Sequence, residues 1–158
     1  MTAPGYHYRT HRCNAPDGIP VLVHVKIFPD NRVVTTGDDK RRFVVTDDLG
    51  GTRLRSAHFT TTTESTSGTI LCQVANLSAG TLDLLSTRTS IDANESSSYT
   101  AATPHVVGTA DAVFHGGTFP TNYITRGDIL RFDVDAAGTN AKGLEALLEF
   151  GPPLLDFS

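Results

Sequence analysis

Several side chains in this sequence are of types that do chemistry, and their spacing decides what chemistry is open to them. His7, His11 and Cys13 form an H-x-x-x-H-x-C run. Histidine and cysteine at short spacing can hold a transition metal. Here no helical pattern puts the two histidines on one face and no fourth ligand is near, so an irregular arm is the expectation. Asp133, Asp135 and Gly138 give a D-x-D-x-x-G fragment of a calcium loop. A calcium loop also needs a third oxygen ligand in step and a closing bidentate glutamate, and neither Asn140 nor Glu145 falls at that spacing. The four glutamates, Glu64, Glu95, Glu145 and Glu149, could supply the carboxylate pair of a glycoside hydrolase. Glu145 and Glu149 instead read as the outward face of one strand, and Glu95 as part of a serine-rich loop. Ser67-Gly68 lies in a polar stretch and lacks the G-x-S-x-G elbow of a serine hydrolase. His24 and His58 fall on strands, solvent-side or hydrogen-bonded, whereas His105 and His115 fall in loops with no companion nearby. The residues therefore imply no catalytic set, no metal and no cofactor, and treatment with a chelator is expected to leave the melting temperature unchanged.

The elements that would position these groups are strands. The chain has 158 residues, 39% of them hydrophobic and 19% charged, with no tryptophan. That is the size of one domain able to bury its own core. Threonine and serine are abundant and lysine is scarce; threonine is stiff at χ1 and suits a pleated surface. In PVLVHVKIF, Val21, Val23, Val25 and Ile27 alternate with Leu22, His24, Lys26 and Phe28, and Pro29-Asp30-Asn31 reads as a terminating turn. RVVTT, GDDK and RFVVT read as a hairpin, and TRLRSAHF as the next strand. TILCQVAN places Ile70, Cys72 and Val74 inward. LDLLSTRTSI reads as one strand with a bulge at Leu84-Leu85, and residues 92–104 as a long surface loop. DILRFDVD places Leu130, Phe132 and Val134 inward and Arg131, Asp133 and Asp135 outward. GLEALLEF, with Leu144, Ala146, Leu148 and Phe150 on one face, reads as a strand in preference to a short helix. Gly127-Asp128 suits a tight turn, and Gly138 and Asn140 suit positive φ in a hairpin connection. About eight to ten short strands at the ~8–12-residue spacing of sandwiches follow. The expected fold is all-β: a single jelly-roll-like antiparallel β-sandwich over 19–151, with an irregular N-terminal arm over 1–18 and a short C-terminal tail over 152–158, where Pro152 and Pro153 cannot continue a central strand.

Charge and hydropathy narrow the partners. A net charge of −4 and a pI near 5.8 oppose binding to phosphate backbones, which rests on Lys and Arg. No apolar run approaches the ~20 residues of a membrane helix. MTAPGYHYRTHR lacks the apolar centre of a secretion signal, so synthesis in a cytoplasm is expected. Cys72 alternates with core positions and reads as a buried thiol, with pairing to Cys13 the lesser alternative.

From Gly37 to Phe150 the sequence resembles a family of small structural proteins of tailed bacteriophages. The resemblance is carried by the G-x-x-x-x-x-F-V-V opening (37–45), by SGTILCQVANLSAGTLDLLST, by TSIDANESSSYTAATPHVV and by GDILRFDVDAAGTNAKGLEALLEF. It implies a jelly-roll module located in the virion and assembled in the host cytoplasm, used as head decoration or cement, head fibre or tail accessory, and it brings no catalytic residues. A head decoration protein is the leading expectation: a homo-oligomer, with a trimer favoured, that binds the major capsid protein or other virion proteins and neither nucleic acid nor membrane. A tail or baseplate accessory with a host-binding role comes next, and a carbohydrate-binding or hydrolytic β-module last. The candidate protein-contact residues are Tyr6, Tyr8, Arg9 and Arg12 in the arm and Leu154, Leu155 and Phe157 in the tail, because these groups have no place in the strand pattern.

Overall fold

A computed structural model describes residues 20–151. The arm over 1–18, the tail over 152–158, the seven contact candidates in them, and His7, His11 and Cys13 lie outside the described residues. Twelve strands follow in order: β1 (Val21–Val33), β2 (Gly37–Val44), β3 (Arg53–Thr63), β4 (Ile70–Asn76), β5 (Leu82–Asp83), β6 (Leu85–Thr87), β7 (Thr89–Ile91), β8 (Val106–Val107), β9 (Asp111–Phe114), β10 (Gly117–Pro120), β11 (Ile129–Ala137) and β12 (Lys142–Gly151). Among the described residues, helix is confined to two single 3-10 turns, Leu77–Ala79 and Ser98–Thr100.

The strands build an antiparallel β-sandwich. One sheet has the order β1-β12-β3 and the other β2-β11-β4-β5, with β7 also paired to β4. Two small ladders, β9-β10 and β6-β8, stand beside them. The inner faces follow the period of two written in the sequence. Leu144, Ala146, Leu148 and Phe150 of β12 are fully buried, as are Leu130, Phe132 and Val134 of β11 and Ile70, Cys72 and Val74 of β4, each at 1% exposure or less. Phe59 of β3 meets Phe132 of β11 edge to face, ring centroids 6.2 Å apart, and so joins the two sheets at their centre. Cys72 is a free thiol in this core, and burial pushes its pKa up, away from thiolate reactivity.

Four expectations are corrected. Pro29-Asp30-Asn31 does not end the first strand, and no hairpin joins RVVTT to RFVVT. β1 continues to Val33, and β2 pairs with β11 in the opposite sheet. The turn-forming residues are absorbed as a bulge: Phe28 pairs with Leu144 and Val33 with Lys142, so only Gly143 lies opposite residues 29–32. Gly143 has φ +65, and a Cβ there would stand 2.9 Å from the Asp30 Cα, so the bulge closes only over glycine. Secondly, a separate bulge reverses the facing of Phe28: Lys26 pairs with Glu145 and Phe28 with Leu144, so Ile27 is the extra residue, and Phe28 is buried at 7% exposure instead of outward. Thirdly, LDLLSTRTSI breaks into β5, β6 and β7, with Leu84 and Leu85 both buried. Fourthly, the β11–β12 connection has the expected positive φ at Gly138 and Asn140. It crosses between sheets, however, and makes no hairpin, because each strand finds its partners elsewhere.

The break at Leu84-Leu85 is held by a side chain. Gln73 is buried, its Nε2 donates to the Leu85 carbonyl (2.9 Å), and its Oε1 accepts from the Leu85 and Val74 amides (3.1 and 3.0 Å). The carboxamide thus substitutes for one peptide unit of the ladder. Gln73→Leu keeps the volume and strands these backbone groups, and is expected to cost about 1–3 kcal/mol in urea denaturation. A loss within error would show that the bow of the chain is held by Leu84 and Leu85 packing alone.

Candidate functional site

The polar groups of the described residues gather at two places that local spacing did not foretell. The first is the outer edge of β3. The Leu54 amide donates to the Asn122 carbonyl (2.9 Å) and the Thr61 amide to the Ser96 carbonyl (2.9 Å). Between them the Phe59 amide donates to Ser98 Oγ (3.0 Å) and the Ala57 amide to His105 Nε2 (3.1 Å). An edge strand with free amides invites foreign pairing; here it is covered amide by amide. The ring of His58 lies flat on Tyr99, centroids 3.6 Å apart, and edge-on to His105 at 4.7 Å. Its Nδ1 is 3.0 Å from Ser98 Oγ. His105, expected to lack a companion, therefore belongs to a His58–Ser98–Tyr99–His105 cluster.

A serine hydroxyl beside an imidazole has the composition of a nucleophile and its base. The geometry gives Ser98 a structural role instead. Its Oγ accepts a backbone amide, and the residue is 6% exposed, closed against the strand. Burial lowers the pKa of both histidines, with the His58 charge lowering His105 further and Glu149 opposing the effect on His58.

The second place is Asp128, which is 2% exposed. Its carboxylate accepts from Asn76 Nδ2 (2.9 Å), the Thr125 amide (2.9 Å) and Thr125 Oγ1 (3.1 Å), and it pairs with His115 Nε2 at 2.8 Å. His115 sits at φ +54 in the turn between β9 and β10, so the expected lone loop histidine is instead the pin that fastens this hairpin to the start of β11. Gly127 at φ +87 sharpens the turn before it. Asp128 was expected to serve this turn; its links to β4 and to the hairpin were not.

The other candidates are accounted for singly. Asp133, expected to face outward, is 4% exposed because residues 38–39 cover it. Burial pushes its pKa up, while the Asp39 amide (2.7 Å) and the Arg131 guanidinium (3.0 Å) act the other way. Asp135 pairs with Arg88. Glu145 receives His24 (3.2 Å) and Lys26 (3.8 Å) on the outer sheet face. Glu95 accepts from Thr100 Oγ1 (2.7 Å). An open groove of about 590 Å³ is lined by hydroxyls of Thr61 to Thr66, with Glu64, Asn94 and Ser96. Among the described residues, no three His, Cys, Asp or Glu side chains come together as metal ligands would.

Sequence spacing missed Ser98, His105, His115 and the wider links of Asp128 because their partners are 40, 48 or 52 residues away, or across a hairpin. The one local signal was Gly127-Asp128. Compared with protein-family models, curated proteins and solved structures, the chain matches none.

Proposed function

We propose that the chain is a non-enzymatic structural protein of a phage virion, a decoration or cement protein seated on the outside of the head. The strand order carries this reading. β1 neighbours β12 in one sheet, β2 neighbours β11 in the other, and β4 neighbours β5. This nesting, like one long hairpin rolled across two sheets with loops taking the place beside β3, supports a jelly-roll reading of the sandwich. The stretches that resemble phage proteins fall on β2, on β4 to β6, on the 89–107 segment and on β11 with β12. The buried side chains of Gln73, Ser98 and Asp128 and the half-buried His105 support the same reading, since each accepts from or donates to the backbone.

Val21 pairs with Phe150, so the arm leads into the sandwich and the tail leaves it on neighbouring strands at one end of one sheet. Tyr6, Tyr8, Arg9, Arg12, Leu154, Leu155 and Phe157 would thus act on one partner surface, the major capsid protein or a neighbouring copy. Apolar burial there contributes about 25 cal/mol per Å² before ordering costs, and repetition over a shell multiplies weak contacts. Electron cryomicroscopy of purified particles is expected to place the protein on the outer shell, and light scattering to give three times the 16.9 kDa chain mass. Density confined to the tail would replace this reading with that of a tail accessory, and a monomer would remove the trimer. Deleting 1–17 and 152–158 separately is expected to weaken binding to particles lacking the protein. Unchanged binding by both would move the contact to the sandwich itself.

A further inference from the structure

The cover over β3 depends on the protonation state of one ring. His105 Nε2 accepts the Ala57 amide at 3.1 Å, so it must carry a lone pair, and the ring must be neutral with its proton on Nδ1. A proton on Nε2 turns the acceptor into a donor that faces another donor. His58 responds differently. Ser98 Oγ accepts from Phe59 and can donate to His58 Nδ1; protonating His58 reverses the direction of that bond without removing it. It also puts a positive ring 4.7 Å from His105, in edge contact.

We propose that His105 and His58 form an acid-operated latch, in which protonation of His105, aided by charge on His58, releases the 96–105 segment from the β3 edge. The groups facing the pair are few. Glu149 of β12 favours the charged form of His58, and Tyr99 stacks on it from the 3-10 turn. β7 contributes Thr89, Ser90 and Ile91, and β8 contributes Val106 and Val107, none of them charged. Among the described residues, Glu149 is thus the one carboxylate acting on the pair, and it acts on His58, while His105 is lowered by burial and by the His58 charge.

The sign follows from linkage. Burial holds both histidines below their ordinary value of 6.5. The closed state therefore releases protons that the open state keeps, and its stability is complete above pH 6.5 and is lost as the pH falls through the closed-state pKa. Release uncovers the Ala57 and Phe59 amides, and with them a strand edge able to pair with another chain.

Amide hydrogen exchange followed by NMR on the full chain tests the latch. Between pH 6.5 and the closed-state pKa, the protection factors of Ala57 and Phe59 are expected to fall by about tenfold per pH unit, while the Phe132 amide in the opposite sheet keeps its protection. In His105→Gln, whose Oε1 can accept the same amide and does not titrate, protection is expected to stay constant. A fall of equal size in that variant, or no fall in the unaltered chain, overturns the proposal. Should the variant fail to fold, ring nitrogen shifts of the unaltered protein decide it. They are expected to show His105 bare at Nε2 at neutral pH and titrating below the ordinary histidine value of 6.5; a proton on Nε2 at neutral pH would refute the latch.

Discussion

Asp128→Ala is expected to lower the unfolding free energy by about 3–5 kcal/mol, the cost of leaving several buried donors without their carboxylate acceptor. The carboxylate is 2% exposed and is the common acceptor of Asn76, of Thr125 through both its amide and its hydroxyl, and of His115. Alanine leaves the Asn76 carboxamide, itself fully buried, and the Thr125 amide without that acceptor. The loss has a location as well as a size. His115 links the β9-β10 hairpin to Asp128, so hydrogen exchange in 111–120 should rise more than in β12. Urea denaturation measures the first effect and exchange the second. A loss below about 1 kcal/mol would mean that water replaces the carboxylate and that the node is not sealed.

Phe132→Ala is expected to cost a similar amount, about 3–5 kcal/mol, by a different mechanism. Phe132 is fully buried on β11, which has β2 on one side and β4 on the other. Its ring contacts Phe59 from the facing sheet. Truncation removes apolar burial, leaves a cavity between the sheets, and deletes the aromatic pair. Phe132→Leu should recover most of the loss, since a leucine fills much of the space. If the alanine and leucine variants melt at the same temperature, the sheets close over the gap and the centre of the sandwich is more compliant than its packing implies.

Much of this architecture is written locally. The alternation in DILRFDVD, GLEALLEF and TILCQVAN marks which residues face the core, and Leu130, Phe132, Val134, Leu144, Ala146, Leu148, Phe150, Ile70, Cys72 and Val74 are all buried. A period of two is a property of one strand and needs no knowledge of its neighbour. Gly127, Gly138 and Asn140 were likewise legible as positive-φ positions, because φ preference belongs to the single residue. The candidate site was not legible in this way. His105 read as solitary because Ala57, whose amide it accepts, is 48 residues earlier, and His115 because Asp128 lies beyond a whole strand.

Sequence by itself determined the class of this protein: strands, their inward faces and the residues that turn the chain. Tertiary structure alone decided which strands are neighbours: β2 pairs with β11 in the opposite sheet and so forms no hairpin with β1. It decided the facing of Phe28, because a bulge at Ile27, between Lys26 and Phe28, shifts the alternation by one. It also decided the fate of the polar groups, burying Asp133 beneath residues 38–39 and closing the β3 edge with Ser98 and His105. The physical reason is common to all three. A backbone amide at a strand edge must find an acceptor, and which side chain supplies it depends on what the folded chain brings within about 3 Å, at any separation along the sequence.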